Sequence, residues 1–498
     1  MSDRDVALGD MSPDEFRRAG YLAVDWAADY LASVQDYPVL ARTEPGAVRR
    51  RLPASPPKAP ESLESMLADL TSVIVPGITH WNHPAFFAYF AITGSGPGIL
   101  GELLTAALNI NGMLWKTSPA ATELEEVALD WLRQMVGLPD GWMGIIMDTA
   151  SIASLCAIAA AREAAEPHLR EQGMAGGPRL RLYTSEQAHS SIEKAAIVLG
   201  LGRHGVRKIP VDREFRMDPA ALAAAVAEDR RAGWRPFCVA ATVGTTSTTS
   251  VDPVPAIADV CARERLWLHV DGAYAGMAAL LPEFRWVLEG CHQADSVVIN
   301  PHKWLFTPID CSAFYCARPE VLRSAFSLVP EYLRTTESDQ AAVRDFMDYG
   351  VQLGRRFRAL KLWMVIRHFG WEGLAARIRE HIRLGQQFRS WVDAHPDFER
   401  MAPAPLSVVC FRARPADLRA RADEHDGYLD RLNEALLEEV NATGRAYLSH
   451  TRLKGRLTLR LAVGNLRTTE AHVREAWDLL QQHAAQLDNK LRKSQISD

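Results

Sequence analysis

The residue best suited to covalent chemistry is a lysine that follows a short apolar run. Residues 295–304 read Asp-Ser-Val-Val-Ile-Asn-Pro-His-Lys-Trp. Because Pro301 cannot donate to a sheet ladder, a strand should end there and place Lys303 at the carboxyl edge of a sheet, where α/β proteins bind ligands. Burial beside Trp304 would lower the pKa of the Lys303 ammonium, and a neutral amine can attack an aldehyde to form a Schiff base. For a lysine considered alone, a solvated surface position is the usual alternative.

A carboxylate ends a second apolar run, earlier in the chain. Asp271 follows Trp-Leu-His-Val at residues 267–270, and its distance from Lys303 in sequence leaves room for one crossover connection. A buried carboxylate favours the protonated form of a neighbouring heterocyclic nitrogen, because opposite charge stabilises the charged form. A helix cap or a structural ion pair is the simpler explanation of Asp271 when it is considered alone.

Further polar residues follow other predicted strands. Ser151 stands where a short apolar strand gives way to a helix, and the free N–H groups of a helix start can bind anions. Capping of that helix by Asp148 or Thr149 explains the same pattern equally well. His189 suits either stacking on a flat ring or a place in the core, and the small hydroxyl residue Thr246 suits the lining of a ring.

Aromatic residues are concentrated in one stretch, which reads Trp-Asn-His-Pro-Ala-Phe-Phe-Ala-Tyr-Phe at residues 81–90. Such a density of aromatic side chains usually indicates core packing. The alternative is a flat-sided pocket for an aromatic ligand.

Strands and helices alternate through the middle of the chain, and this predicts an α/β fold with a mostly parallel central sheet and flanking helices. The predicted strands are 144–147, 181–184, 237–242, 267–270 and 296–299, with helices at 190–199 and 253–263. Residues 94–98, Gly-Ser-Gly-Pro-Gly, predict a turn. A GxGxxG pattern at 200–205 ends a helix instead of opening one, so it does not indicate a dinucleotide site.

The two ends of the chain have a different organisation. Ser12-Pro13 starts an amphipathic helix that could pack on its own chain or on a second subunit. Beyond about residue 375 the patterns predict a smaller α+β unit, with strands at 408–411 and 457–461 and helices at 373–394, 427–441 and 470–487. The predicted divisions are an N-terminal helical, dimer-associated segment at 1–85, a large α/β domain at 86–375 and a small α+β domain at 376–498. The polar tail after Asp488 is expected to fray.

Composition excludes several classes of function. The chain is 48% hydrophobic and 23% charged, with a net charge of -5, so nothing in it favours nucleic acid or an anionic membrane as a partner. The 7 cysteines are scattered without a CxxC pair, which favours a reducing, cytoplasmic location. The start of the chain lacks an apolar signal segment, and the apolar run from Met143 to Ala161 is broken by Asp148, so no membrane span is predicted.

Together the motifs resemble those of the aromatic L-amino-acid decarboxylases, group II pyridoxal-phosphate-dependent enzymes of fold type I. The resemblance extends from about Pro13 to about Leu480 and is strongest at residues 81–90, 118–131, 183–193, 242–246, 269–276, 300–304 and 354–360. It implies a fold-type I, PLP-dependent transferase-like architecture with pyridoxal 5'-phosphate as the cofactor and no metal. It also implies an aromatic amino acid as substrate and a homodimer whose active sites are shared between subunits.

The resemblance assigns a role to each matching residue. Lys303 would bind the cofactor covalently, Asp271 would hold its pyridine nitrogen, and His189 would stack on its ring. The remaining cofactor contacts would be Ala150, Ser151, Thr246, Ala273, Asn300 and His302, the last with a catalytic role as well. Tyr332 matches the tyrosine of the family's mobile catalytic loop. The substrate pocket would contain Trp81, Tyr89, Phe90, Ile92, Asn111, Met113 and Gly354.

Some positions depart from the family pattern. Asp148 and Ile152 stand where the better-known members have Gly and Glu, beside the expected phosphate site. In the expected pocket, Ala91, Ile92, Asn111 and Met113 replace residues typical of the animal enzymes that decarboxylate catechol substrates. Ile92 removes a hydroxyl that could bind a ring hydroxyl of the substrate.

The predicted function is therefore the decarboxylation of an aromatic L-amino acid to the arylalkylamine and CO2. An aromatic acetaldehyde synthase, which combines decarboxylation with oxidative deamination on the same scaffold, is the nearest alternative. A cofactor-binding protein without turnover is a third possibility, and the presence of Lys303, Asp271, His189 and Tyr332 argues against it.

Overall fold

The computed structural model describes residues 10–328, 343–418 and 425–497. Seven strands form its larger sheet: Met143–Met147 (β1), Leu180–Ser185 (β2), Val206–Ile209 (β3), Arg235–Thr242 (β4), Trp267–Asp271 (β5), Ser296–Ile299 (β6) and Ser312–Cys316 (β7). Their order is β1-β7-β6-β5-β4-β2-β3. Only β7 runs against its neighbours, so the predicted mostly parallel sheet is confirmed.

The helices of the described residues follow the predicted alternation with the strands. In chain order they are Pro13–Ser33 (α1), Ala47–Arg51 (α2), Leu63–Asp69 (α3), Gly96–Leu108 (α4), Pro119–Val136 (α5), Ala150–Ala165 (α6), Leu169–Gln172 (α7), Ser190–Val198 (α8), Pro219–Arg231 (α9), Val254–Glu264 (α10), Pro301–Trp304 (α11), Pro319–Phe326 (α12), Ala359–Ala394 (α13), Asp426–Ala442 (α14) and Glu470–Ser497 (α15). None of these helices is both long and apolar enough to span a bilayer.

Both faces of the large sheet are covered, which explains why its central strands are continuous apolar runs. Apolar residues of α5, α9, α10 and α13 form the core on one face. Residues of α6, α8 and α12 form a second core on the other face. The five strands β1, β2, β4, β5 and β6 run in the same direction, so their carboxyl ends meet at one edge of the sheet.

A second sheet lies in the C-terminal part of the chain. Its strands are Phe398–Arg400 (β8), Val408–Ala413 (β9), Ser449–Leu453 (β10) and Arg456–Ala462 (β11), all antiparallel in the order β10-β11-β9-β8. The end of α13 together with α14 and α15 packs against this sheet. Helix α13 crosses the predicted division at residue 375 after a break at Gly370, whose φ is 64°; the division itself stays a prediction.

Two local predictions are wrong. The glycine-rich stretch at 94–98 is not only a turn, since α4 begins at Gly96. The small residues of α4 let this helix approach α13 closely: a Cβ added at Gly101 would lie 2.6 Å from the Cα of Lys361 in α13. The polar tail does not fray after Asp488, because α15 continues to Ser497.

Candidate active site

A cavity of about 340 Å³ opens at the carboxyl edge of the large sheet. This volume lies within the range of small-molecule sites, about 300–1,000 Å³. Thirteen of the residues named from the sequence line it: Trp81, Tyr89, Phe90, Ile92, Ala150, Ser151, His189, Thr246, Asp271, Ala273, Asn300, His302 and Lys303. Residues that are far apart in sequence therefore converge on one site, as strands sharing a carboxyl edge require.

Four predicted site residues are not part of this lining. Asn111, Met113 and Gly354 cluster with one another instead: Asn111 Nδ2 lies 3.4 Å from Met113 Sδ, and a Cβ added at Gly354 would lie 3.9 Å from the same nitrogen. Tyr332 lies outside the described residues.

Lys303 is brought to the cavity by the short helix α11, which follows β6 directly. Pro301 at its first position has the fixed φ that suits a helix start and ends the strand at the same point. The Lys303 Nζ lies 5.3 Å from the centroid of the Phe90 ring. Burial lowers the pKa of the Lys303 ammonium, and the nearby Asp271 carboxylate acts in the opposite direction. The result is an amine that loses its proton, and so becomes nucleophilic, more easily than a surface lysine.

A stack of three rings forms the wall beside this amine. Phe90 and Tyr274 lie 3.9 Å apart between centroids, and Tyr274 and Trp304 lie 4.4 Å apart. The stack is anchored at both polar tips: the Tyr274 hydroxyl lies 2.7 Å from Ser407 Oγ, and the Trp304 indole N–H donates to His381 Nδ1 at 3.0 Å. Both partners come from the C-terminal part of the chain, so this wall also joins the two sheets.

Asp271 is placed by register at the end of β5. It pairs with Thr242 of β4 and with Val298 of β6, in the middle of the sheet. Its side chain is buried, and Oδ1 accepts a hydrogen bond from the Ala273 backbone N–H at 3.1 Å. A buried carboxylate that lines a cavity favours a cationic group there.

Two other side chains of the cavity lining form a donor pair. His302 Nδ1 accepts the backbone N–H of Cys311 at 2.9 Å, and burial lowers the pKa of His302 to about 3, so the neutral ring carries its proton on Nε2. The Asn300 side-chain oxygen accepts the hydroxyl of Ser312 at 2.7 Å, which leaves its amide Nδ2 facing His302 Nε2 at 3.3 Å. Two N–H groups that face each other need an acceptor in common, and an anion oxygen provides one.

The start of α6 adds further donors to the cavity lining. Ala150 and Ser151 are its first residues, and the side chain of the N-cap residue Thr149 does not cap the helix. The Asp148 carboxylate does not cap it either. It accepts from Gln352 Nε2 at 2.6 Å and pairs with Arg358 at 3.0 Å. The capping alternative is therefore wrong, and the helix start is available to an anion.

His189 caps α8 with its ring. Nδ1 accepts the backbone N–H of Ser191 at 3.2 Å, so in the neutral ring the proton is on Nε2. Partial burial lowers the pKa of His189, while Asp271 acts in the opposite direction. The ring is thus held in one tautomer at the cavity.

Five lining residues were not among the predicted site residues: Thr149, Thr242, Gly244, Tyr274 and Arg460. Arg460 of β11 is 4% exposed, and its guanidinium donates to the carbonyls of Ser247 at 2.8 Å and Thr246 at 2.9 Å and to Ser449 Oγ at 3.0 Å. These bonds fix a positive charge in the cavity wall. The signal that could have found it is a single arginine within the apolar strand at residues 457–461.

The chemistry of the lining fits pyridoxal phosphate. The anion donors suit a phosphate, Asp271 suits a protonated pyridine nitrogen, and Lys303 suits the aldehyde. A mostly parallel sheet with this set of groups at its carboxyl edge defines a fold-type I pyridoxal-phosphate enzyme.

Comparison with known proteins gives the family. The family described as "Pyridoxal-dependent decarboxylase conserved domain" matches residues 45–414, more than half of the chain. The chain is 42% identical to tyrosine decarboxylase 3 of Petroselinum crispum, over 98% of this chain and 96% of that protein. It is 40% identical to a phenylacetaldehyde synthase of a Rosa hybrid cultivar, over 95% of this chain and 94% of that protein. The crystal structure of Oryza sativa TDC with PLP and tryptamine superposes with a TM-score of 0.93 at 41% identity, covering 96% of this chain and 99% of the other.

The chain belongs to the pyridoxal-dependent decarboxylase family. It is a group II decarboxylase, a carboxy-lyase that uses pyridoxal phosphate as its cofactor. The predicted family, fold class, enzyme class and cofactor are confirmed.

Proposed function

We propose that this enzyme decarboxylates an aromatic L-amino acid to the arylalkylamine and CO2. The observation that carries the proposal is the wall of Trp81, Tyr89 and Phe90 in the same cavity as Lys303 and Asp271. The rings of Trp81 and Tyr89 stack at 5.9 Å between centroids, and flat apolar faces of this kind bind another aromatic ring well. Relatives named for the decarboxylation of tyrosine and of aromatic L-amino acids support the same substrate class.

When bound, pyridoxal phosphate supplies an electron sink for the carbanion that is left when CO2 departs. In our proposal Lys303 would hold the cofactor covalently, and its amine would be released when the substrate amine takes over that bond. Asp271 keeps the pyridine nitrogen protonated, and this makes the sink effective. His189 lies against the cofactor ring, and its Nε2–H is available to the substrate carboxylate.

The phosphate end has its own set of residues in this proposal. Asn300 and His302 donate their N–H groups to the phosphate, and the start of α6 at Ala150 and Ser151 adds backbone donors. Thr246 and Ala273 complete the lining around the ring. Since Arg358 pairs with Asp148, the extra carboxylate near this end is neutralised and does not repel the phosphate.

The first expected outcome concerns the substrate. Ile92 places an alkyl group in the cavity lining, so a ring hydroxyl gains no hydrogen bond from this position. We expect tryptophan to be accepted as a substrate. Amine release from DOPA should not exceed that from tryptophan by about a hundredfold, because one hydroxyl in an apolar pocket should give a smaller preference. The measurement is amine release from tryptophan, 5-hydroxytryptophan, phenylalanine, tyrosine, DOPA, histidine and glutamate. Preferred release from glutamate or histidine would contradict the aromatic class.

We also propose that the enzyme is a homodimer with shared active sites. Exposed apolar side chains lie along α1 and α4, with Phe16 57%, Tyr21 66% and Leu108 56% exposed, which is typical of a subunit interface. Asn111, Met113 and Gly354, which stand outside the cavity of their own chain, are then positioned for the cavity of the second subunit.

This sharing can be tested by mixing two inactive variants. Lys303→Ala removes the amine, and Gly354→Leu, at a position with room for a Cβ, should block tryptophan. If Gly354 serves the other subunit, a mixed dimer contains one site with both lesions and one intact site. Each mixed dimer should then decarboxylate tryptophan at about half the rate of a wild-type dimer. Recovery is absent if both residues act within one chain. Each variant alone, at the same total concentration, is the control.

An aldehyde synthase is the second candidate, because a relative at 40% identity is named phenylacetaldehyde synthase. The proposal favours the decarboxylase because Tyr332 matches the loop tyrosine that the decarboxylases carry, where many of the synthases have Phe. A phenol keeps its proton at neutral pH and can donate it to the carbanion before oxygen reacts.

Tyr332→Phe is therefore expected to keep losing CO2 while its product shifts from the amine toward the aldehyde, ammonia and hydrogen peroxide. The measurement is product analysis in air. Tyr349→Phe, which removes a hydroxyl from a partly buried tyrosine outside the cavity lining, is the control and should give the wild-type products. Unchanged amine formation by Tyr332→Phe would show that another group donates the proton.

A further inference from the structure

A buried polar network lies beneath the cavity, between the large sheet and α6. Its centre is His269, which is fully buried; Nε2 lies 3.1 Å from Ser154 Oγ and Nδ1 lies 3.0 Å from Ser296 Oγ. Ser296 Oγ also accepts the indole N–H of Trp267 at 3.0 Å. None of these four described residues lines the cavity.

The network holds both nitrogens of the His269 ring. Trp267 donates to Ser296 Oγ, and the hydroxyls of Ser296 and Ser154 can each donate or accept, as the tautomer of the ring requires. Burial lowers the pKa of His269 to about 4, although Asp271 acts in the opposite direction, so the ring is neutral. Every polar atom of the imidazole has a partner, and the ring is locked in place.

Each member of the network belongs to an element that carries part of the cofactor site. Ser154 lies one turn into α6, behind the phosphate-end residues 150–151. Ser296 of β6 is directly opposite His269 in the register of the sheet, and β6 leads into α11, which carries Lys303. His269 stands two positions before Asp271 on β5, so both side chains are on the same face of the strand.

We propose that His269 is a positioning residue for the cofactor. By joining α6 and β6 to β5, it fixes the separation between the donors at the phosphate end and the Asp271 carboxylate at the pyridine end. A rigid cofactor needs both ends held at one distance, and a helix start that is free to shift along the sheet would lose the phosphate contacts first. The proposal rests on the cofactor placement proposed above. Its alternative is a network that only stabilises the sheet.

The test measures cofactor binding by the apoprotein, with Ser154→Ala and Ser296→Ala each deleting one link. Tyr315→Phe is the matched control, since it removes one buried hydroxyl of the same sheet, bonded to the Leu129 carbonyl at 2.8 Å. Affinities for pyridoxal phosphate and for pyridoxal, which lacks the phosphate, are measured by titration of the bound-cofactor absorbance. We expect Ser154→Ala to weaken the binding of pyridoxal phosphate about tenfold, in line with the loss of one buried hydrogen bond. The affinity for pyridoxal should change much less.

Two further variants separate the links at His269 itself. His269→Gln can place a side-chain amide near the former Nε2 and keep the bond to Ser154, whereas His269→Asn can keep only the bond to Ser296. We expect the Gln variant to bind pyridoxal phosphate more tightly than the Asn variant, a comparison that stands even if Ser154→Ala does not fold.

Several results would overturn the proposal. These are a Ser154→Ala affinity equal to that of Tyr315→Phe, an equal loss for pyridoxal phosphate and pyridoxal, or equal binding by the Gln and Asn variants. Wild-type protein that binds no pyridoxal phosphate would instead refute the cofactor placement, so the two failures are distinguishable.

Discussion

Replacing Lys303 with alanine is expected to abolish covalent attachment of pyridoxal phosphate and to remove decarboxylation. Lys303 is the only lysine among the described residues that line the cavity, and burial lowers the pKa of its ammonium. Within the part of the chain that the structure describes, no other amine is placed to react with the aldehyde. The binding energy of the phosphate end is retained, so the variant should still bind the cofactor without a covalent bond.

The measurement is borohydride reduction of the loaded protein, digestion and peptide mass analysis. The wild type should give an adduct on the peptide that contains Lys303. Lys194→Ala is the control, because Lys194 is exposed and close enough to affect the charge balance of His189, yet it does not line the cavity. A stoichiometric adduct in the Lys303→Ala variant would place the covalent bond elsewhere.

Replacing Asp271 with asparagine is expected to slow turnover by about three orders of magnitude, which corresponds to a loss of about 4 kcal/mol of electrostatic stabilisation. Asparagine keeps the size of the side chain and can still accept the Ala273 N–H, but it carries no charge to hold a proton on the pyridine nitrogen. Cofactor binding should persist, since the phosphate end is untouched.

Single-turnover rates, together with the cofactor content of each preparation, separate this effect from loss of cofactor. Asp295→Asn is the matched control: Asp295 is a carboxylate of the same sheet at the opposite end of the strands, where it accepts the Leu268 N–H at 2.8 Å. It should retain turnover within about threefold, an energy difference of less than 1 kcal/mol. Near-normal turnover by Asp271→Asn would make Asp271 a structural residue.

The strands that carry the site could be predicted because their sequences have local boundaries. β6 ends where Pro301 interrupts an apolar run, and β5 ends at Asp271 after four residues that are buried in the sheet. Strands β3 and β7 were not predicted. They are short, of 4 and 5 residues, and the charged Arg207 and Lys208 in the middle of β3 prevent it from reading as an apolar run.

Helix α4 was missed for a different reason. Its glycines favour a turn when judged by local propensity, yet tertiary packing requires them, since Gly101 contacts α13 where no side chain would fit. Its leucines Leu100, Leu103 and Leu104 are each about half exposed in the single chain, so the usual polar face is absent and the helical period is hidden.

The candidate site shows the same division between local and long-range information. Lys303, Asp271 and His302 could be named because short motifs surround them. Arg460 could not, because its role depends on β11 of the second sheet reaching the loop at Thr246, a contact between residues more than two hundred positions apart. An arginine inside an apolar strand is the one local sign of such a contact, and its partner is a property of the fold.

The central claim is that this enzyme releases CO2 and returns the proton to the carbanion, so that the amine is the product. It is tested most directly by incubating wild-type enzyme, loaded with pyridoxal phosphate, with tryptophan in air and measuring CO2, amine, aldehyde and hydrogen peroxide together. The account predicts one amine for each CO2, with hydrogen peroxide at background. Equal amounts of CO2, aldehyde and hydrogen peroxide, with little amine, would contradict it.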